Sequence, residues 1–303
     1  MTGPTRRTFL KGLLATVLAG LFVSAYGFFI EPALRLRVRR WTIRRADWTA
    51  PALKIAVLSD FHAGEPWVGA DRLRKIVRRT NALGADLVLL LGDFAAGHPF
   101  VQAPVGAREV AGILAGLEAR HGVFAVLGNH DWWDDEAAQR RGGYPNLYAD
   151  ALDEAAIPVF SNEARKIDGA GVWLAGLEDQ LALRRGAGGF VGLDDLDATL
   201  ASVGDDAPVV LMAHEPDVFP KVPGRVALTL SGHTHGGQFR LFGWSPVVPS
   251  RFGNRFAYGH VREDGRDLVV SGGIGCSIVP VRFGVVPEIT LVEIAGAEAG
   301  ASE

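Results

Sequence analysis

Five apolar runs in this chain each end in a carboxylate, an imidazole or a carboxamide, and that regularity constrains the fold more than any other feature. Lys54 to Leu58 leads into Asp60 and His62, Asp86 to Leu91 into Asp93, and Val123 to Leu127 into Asn129, His130 and Asp131. Val209 to Ala213 leads into His214, and Val226 to Leu230 into His233 and His235. Runs of this length read as buried strands. Between the first three lie Leu73, Ile76, Val77 and Leu83, then Val110, Ile113, Leu114 and Leu117, at helical spacing. This alternation predicts parallel strands joined by right-handed crossovers, so all three end on one edge. In open α/β sheets that edge is where sites form.

The second half reads as richer in strands, with Val172 to Ala175, Leu268 to Val270 and Ile289 to Val292 joining the two runs above. Asp264-Gly265 is a hairpin turn between His260-Val261-Arg262 and Leu268. Gly243 to Gly259, rich in Gly, Pro and aromatics, reads as a long loop. The expectation is one α/β domain with two sheets. At 48 % apolar residues the chain can build a sizeable core.

Charge is unevenly placed. Residues 1–45 hold nine Lys and Arg against the single Glu31, which leaves 22 basic and 33 acidic residues beyond, a net charge of about −11. Such a body lacks the basic stripe of a nucleic-acid-binding surface, so no nucleic-acid partner is expected. Cys276 is the only cysteine, which excludes an intrachain disulfide.

Residues 1–30 form a leader distinct from a domain at 31–303. Thr5-Arg6-Arg7-Thr8-Phe9-Leu10-Lys11 resembles a twin-arginine export signal, and nineteen uncharged residues follow, Gly12 to Ile30. As a helix these would span about 28 Å, enough to cross a bilayer core. Val23-Ser24-Ala25 offers a cleavage site, so a cleaved signal and a retained anchor both stand. Six arginines between Arg35 and Arg45 favour a cytoplasmic body by the positive-inside tendency. Long domains cross largely regardless of charge, and strict alternation in Arg35-Leu36-Arg37-Val38-Arg39 suits a half-exposed strand with the arginines on its wet face. Export by the twin-arginine machinery, to a membrane-anchored or periplasmic state, is the expectation.

Carboxylate and imidazole without thiolate suit Mn, Fe or Zn, and the groups are too many for one tetrahedral ion. A pair of divalent ions sharing a carboxylate fits better. The set Asp60-x-His62, Gly92-Asp93, Gly128-Asn129-His130-Asp131, His214 and Gly232-His233-Thr234-His235 resembles the calcineurin-like metallophosphoesterases. The Glu31-Pro32 region, Gly232-His233-Thr234-His235-Gly236-Gly237-Gln238 and the leader look most like a bacterial branch of exported or membrane-bound phosphodiesterases that also contains UDP-2,3-diacylglucosamine hydrolases. The resemblance implies an α/β/β/α sandwich and a role for each residue. Asp60, His62 and His235 would hold one ion, Asn129, His214 and His233 the other, and Asp93 would bridge. His130 would face substrate, with Asp131 as its orienter, and a hydroxide between the ions would hydrolyse a phosphodiester or pyrophosphate bond. No other cofactor is implied. The glycines around His233 and His235 would let backbone and phosphate come close.

Two other readings compete. A non-catalytic scaffold of the same fold would show broken ligands, and none is broken. A zinc amidohydrolase would place His-x-His after its first strand, where this chain has Asp60-x-His62. Trp132, Trp133, Tyr144, Phe190, Trp244 and Phe252 lie in loops able to line a cleft, although several are expected simply to pack those loops.

Overall fold

A computed structural model describes residues 5–186 and 188–297. The strands that matter for the site are β1 (Arg37–Arg45), β2 (Leu53–Leu58), β3 (Leu87–Leu90), β4 (Val123–Ala125), β5 (Glu163–Ile167), β6 (Val172–Gly176), β7 (Val209–Met212), β8 (Val226–Ser231), β9 (Gly259–Glu263), β10 (Arg266–Val270) and β11 (Glu288–Gly296). They form a five-stranded sheet in the order β1-β11-β2-β3-β4 and a six-stranded sheet in the order β9-β10-β8-β7-β6-β5. Within them β2, β3 and β4 run parallel, as do β6, β7, β8 and β10. The carboxyl ends of both parallel sets meet at one edge, where Asp60 N–H donates to Gly92 O at 3.0 Å and Gly232 N–H to His214 O at 2.9 Å.

The strand sequences are apolar on both faces because both faces are covered. In β2, Ile55 and Val57 point into the sandwich with Leu89, Met212, Leu228 and Leu230. Ala56 and Leu58 point the other way, against Leu73 and Ile76 of helix α1 (Ala70–Asn81) and Val110 and Leu114 of helix α2 (Ala107–Leu114). The two-residue side-chain period of a strand thus feeds two cores at once. Asp71 in the first turn of α1 and Arg78 and Arg79 in its last complement the helix dipole. The outer face of the second sheet is closed by turns carrying Val218, Phe219 and Phe256. This mixed α/β architecture agrees with the sandwich expected from the sequence.

Some sequence readings need correction. Arg39, Arg40 and Arg44 of β1 are exposed, as the wet-face reading expects, but Arg37 and Arg45 are not. Arg45 is buried and bonds Asp267 at 2.6 Å, while half-buried Arg37 donates to Glu288 at 2.9 Å. These two pairs tie β1 to the second sheet and to β11. Ile289 to Val292 proves to be part of a nine-residue strand, β11, lodged between β1 and β2.

Ahead of the sheets, residues Arg6–Ala25 form one helix with no buried residue. Wider helical turns continue over Tyr26–Leu34, giving 29 residues long and apolar enough to cross a membrane. The body grips the end of this segment. Arg282 N–H donates to Gly27 O at 2.9 Å and Trp67 Nε1–H to Phe28 O at 2.8 Å, and Glu31 and Pro32 are buried.

Candidate metal centre

The loops after β2, β3, β4, β7 and β8 bring the predicted side chains into one cluster. Asp60, His62, Asp93 and His235 can present ligand atoms within 4.8 Å of one another, and so can Asp93, His214 and His233. Asp93 belongs to both sets. Its Oδ2 lies 3.5 Å from His62 Nε2 and 3.3 Å from His214 Nε2. On the first side, His62 Nε2 faces His235 Nε2 at 3.1 Å, and His235 Nε2 is 3.4 Å from Asp60 Oδ1. On the second, His233 Nδ1 meets Asn129 Oδ1 at 2.9 Å.

Local backbone explains how these short loops aim so many groups inward. Asp60, His62, Asp93, His233 and His235 all have positive φ, between 43° and 66°. For non-glycine residues this region costs about 1–3 kcal/mol each, and such strain collects where function demands a geometry. Cross-loop bonds hold it: His62 N–H donates to Asp93 O at 3.0 Å and His233 N–H to Asp60 Oδ1 at 2.8 Å. Gly128 is required by close approach, since a β-carbon there would sit 2.4 Å from Asp93 Oδ1 and 2.7 Å from His214 Cε1. The glycines flanking the histidine pair also make room for protein. β-Carbons at Gly232, Gly236 and Gly237 would strike Asp60, Val285 and Ser245 respectively.

Charge states follow from burial. Desolvation pushes the His62 imidazole down to about 3 and lowers His233 and His235 as well. Neutral imidazoles with free lone pairs are what a metal requires. Burial pushes the Asp60 carboxyl up to about 6. It works against charge on Asp93 too, but the His214 and His130 imidazoles outweigh it and hold that carboxyl well below the usual range. For His214 burial and the Asp93 carboxylate pull in opposite directions and the carboxylate prevails, raising that imidazole in the metal-free site; a divalent ion would displace the proton.

The donor set fits a pair of divalent ions. Among the described residues, buried Asp60 Oδ2 and His214 Nε2 have no hydrogen-bond partner, a costly arrangement for polar atoms unless a ligand takes them up. Carboxylate, imidazole and carboxamide together suit borderline metals. The two backing nitrogens are oriented by carbonyls: His62 Nδ1 contacts Ala95 O at 3.1 Å, and His214 Nδ1 contacts Leu91 O.

His130 and Asp131 stand apart. The His130 ring lines a cleft of about 180 Å³ with Asp93, Asn129, Trp133, His233 and Ser277, and its Nε2 is 3.2 Å from Ser277 Oγ. Asp131 does not touch that ring, contrary to the orienting role expected for it. Its oxygens accept from the backbone N–H groups of Gly128, Asp93, Phe94 and Ala95 at 2.7–2.9 Å. The helix Asn129–Trp133 turns Asp131 back toward its own N-terminus. Asp131 therefore clamps the loops that carry Asp93 and His130.

Sequence reading missed the segment after β10. Ser271 to Arg282 returns to the site without a histidine or carboxylate to announce it. Gln238 braces Ser277, accepting from its N–H at 2.7 Å. Fully buried Arg282 donates to Gly275 and Gly272 carbonyls and lies 3.1 Å from His235 Nδ1. Of the six loop aromatics, Trp133 lines the cleft and Phe190 stacks on it at 4.9 Å, while Trp132 is buried core bonded to Glu178.

The family model for calcineurin-like phosphoesterases matches residues 53–237, which contain every residue of the cluster. The chain belongs to that family. Among its relatives are the uncharacterized metallophosphoesterase YkuE of Bacillus subtilis, 28 % identical over 95 % of this chain and 96 % of its own length, and phosphodiesterase YaeI of Escherichia coli, 27 % identical over 96 % and 99 %. A Bos taurus transmembrane protein with a metallophosphoesterase domain is 28 % identical over 82 % of this chain, which spans about half of that relative at 54 %. As a member of a metal-dependent phosphoesterase family, the chain carries Asp and His groups able to bind metal.

Proposed function

We propose that this chain is a membrane-anchored phosphodiesterase with two divalent ions. The observation that carries the reading is the pair of ligand groups sharing Asp93 at the floor of the cleft. Asp60, His62 and His235 would hold one ion, Asn129, His214 and His233 the other, with Asp93 common to both. Bound there, Mn, Fe or Zn ions would supply stabilisation of phosphoryl charge and a water made acidic at neutral pH. The protein's own part is geometric. Asp131 clamps the loops of Asp93 and His130, and Ser277 holds the His130 ring toward the cleft. From that position His130 can donate a hydrogen bond or a proton to the departing oxygen of a phosphoester.

A diester or pyrophosphate bond is the target. The name of the Escherichia coli relative favours a diester, and a lipid-linked nucleotide such as UDP-2,3-diacylglucosamine offers the pyrophosphate. Residues 1–30 act as a twin-arginine leader, retained as the anchor of the domain that follows and placing it outside the cytoplasm. Hydrogen bonds from the body to Gly27 and Phe28 support retention. Purified full-length protein loaded with Mn²⁺ or Zn²⁺ and offered phosphomonoesters, phosphodiesters and nucleotide-sugar pyrophosphates should hydrolyse one of the last two, and a chelator should abolish it. Two bound ions per chain without hydrolysis of either would refute the reading. Replacing Arg6 and Arg7 by lysine should trap the chain in the cytoplasm, and protease protection unchanged between the two forms would remove the export route.

A further inference from the structure

The outer wall of the cleft is built from side chains a water-soluble enzyme would hide. Val247 and Ile278 line it, and both are exposed, Val247 at 70 % and Ile278 at 69 %. Beyond them, Phe242 is fully exposed and Trp244 is 60 % exposed. Phe242 and Trp244 lie in the loop between the cleft-lining Gln238 and Val247, and exposed apolar side chains gathered in this way mark interaction sites. Two of these four are held out at a cost: Phe242 has a φ of 50° and Ile278 a φ of 65°, and the latter is an outlier for a β-branched residue.

This rim is continuous with the anchor. Arg240 N–H, in the same loop as Phe242, donates to Phe283 O at 2.8 Å, and Phe239 stacks on Phe283 at 5.5 Å. Phe283 in turn packs edge-on against Tyr26 at 5.9 Å, and Tyr26 lies one turn below Phe22 of the apolar helix, with ring centroids 6.5 Å apart. A chain of aromatic contacts thus runs from the bilayer-length helix to the loop beside the cleft. Because the body also grips Gly27 and Phe28, the end of the helix is fixed relative to the cleft.

We propose that the loop carrying Phe242 and Trp244 inserts into the bilayer interface beside the anchor, so that the cleft opens onto the membrane surface and takes a phosphoester whose apolar tail stays in the lipid. Aromatic side chains at such a position have one apolar face for lipid and, in Trp244, one N–H for the headgroup zone. The inference rests on residues 6–34 being an anchor and sharpens the substrate class to bilayer-resident phosphoesters.

The test uses the full-length chain in nanodiscs of phosphatidylethanolamine and phosphatidylglycerol doped with a nitroxide lipid. An environment-sensitive fluorophore is attached to Phe242→Cys, or to Glu118→Cys in the turn leading into β4 at the far edge of the sheet; the native Cys276 is buried and stays unlabelled. Position 242 should be quenched severalfold more than position 118. Equal quenching in an anchored chain overturns the rim alone. A chain that fails to stay with the discs overturns the anchor and the rim together. Probe depth is read without turnover, so it is independent of the phosphoesterase reading. In a second arm, the double variant Phe242→Asp, Trp244→Asp should lose on the order of tenfold in kcat/KM on a phosphodiester embedded in vesicles and keep its rate on soluble bis(p-nitrophenyl) phosphate. Equal losses on both substrates would show a rim that supports the fold and would refute lipid contact.

Discussion

Replacing Asp93 by asparagine tests the shared-ligand geometry most directly. The substitution keeps shape and removes charge. A carboxamide oxygen can still accept the His130 N–H that Asp93 Oδ1 now receives at 2.8 Å. The amide nitrogen then occupies the place of Oδ2, between His62 Nε2 at 3.5 Å and His214 Nε2 at 3.3 Å. At those separations and an effective dielectric of about 20, one unit charge interacts with another by about 5 kcal/mol. Loss of that charge should weaken each ion by between about three and four decades in affinity. Both sites should therefore empty together. His62→Ala touches only the first group of ligands and should empty one site. Metal content after dialysis, with titration calorimetry of Mn²⁺ into the metal-free proteins, reads the two outcomes. Two tightly held ions in Asp93→Asn would refute the shared carboxylate.

His130→Asn should keep both ions and lose little rate on an activated aryl diester, but on the order of 10²-fold on an alkyl diester whose leaving oxygen needs a proton; equal losses in kcat/KM would leave His130 a phosphate-positioning role only. Ser277→Ala should reproduce part of the His130→Asn loss with metal content unchanged, and an unaltered alkyl-ester rate would show that the 3.2 Å contact does not position the ring. A third prediction concerns acid. His62 stays neutral in the fold down to about pH 3, whereas the unfolded chain protonates it near 6.5, so the unfolded state binds more protons as pH falls and stability is lost across that window. From pH 6.5 to 5 the metal-free protein should lose about 2 kcal/mol relative to His62→Asn through this residue. A stability difference between the two that does not change with pH, followed by denaturant melts, would contradict a buried neutral His62.

Much of this protein was legible in its sequence, because strand period, helix spacing and loop chemistry are local. The run Lys54 to Leu58 ends in Asp60 and His62 whatever lies beside it, and parallel order placed those ends on one edge. The same locality hid the rest. Asp131 sits next to His130 in the chain, so adjacency suggested an orienting contact, yet the turn of Asn129–Trp133 points its carboxylate back at four backbone N–H groups. Ser277 and Arg282 carry no motif and reach His130 and His235 only because β10 pairs with β8 in the second sheet, delivering the loop behind it to the site. Ile289 to Val292 reads as an ordinary apolar run, and nothing in its pattern says that it lies between β1 and β2 with a parallel neighbour on one side and an antiparallel one on the other. The exposed rim is equally hidden: Phe242, Val247 and Ile278 are apolar letters whose exposure no local pattern announces. Local periodicity determined which segments form elements and which polar groups cap them, while long-range strand pairing alone decided which of those groups touch and which apolar side chains were left facing out.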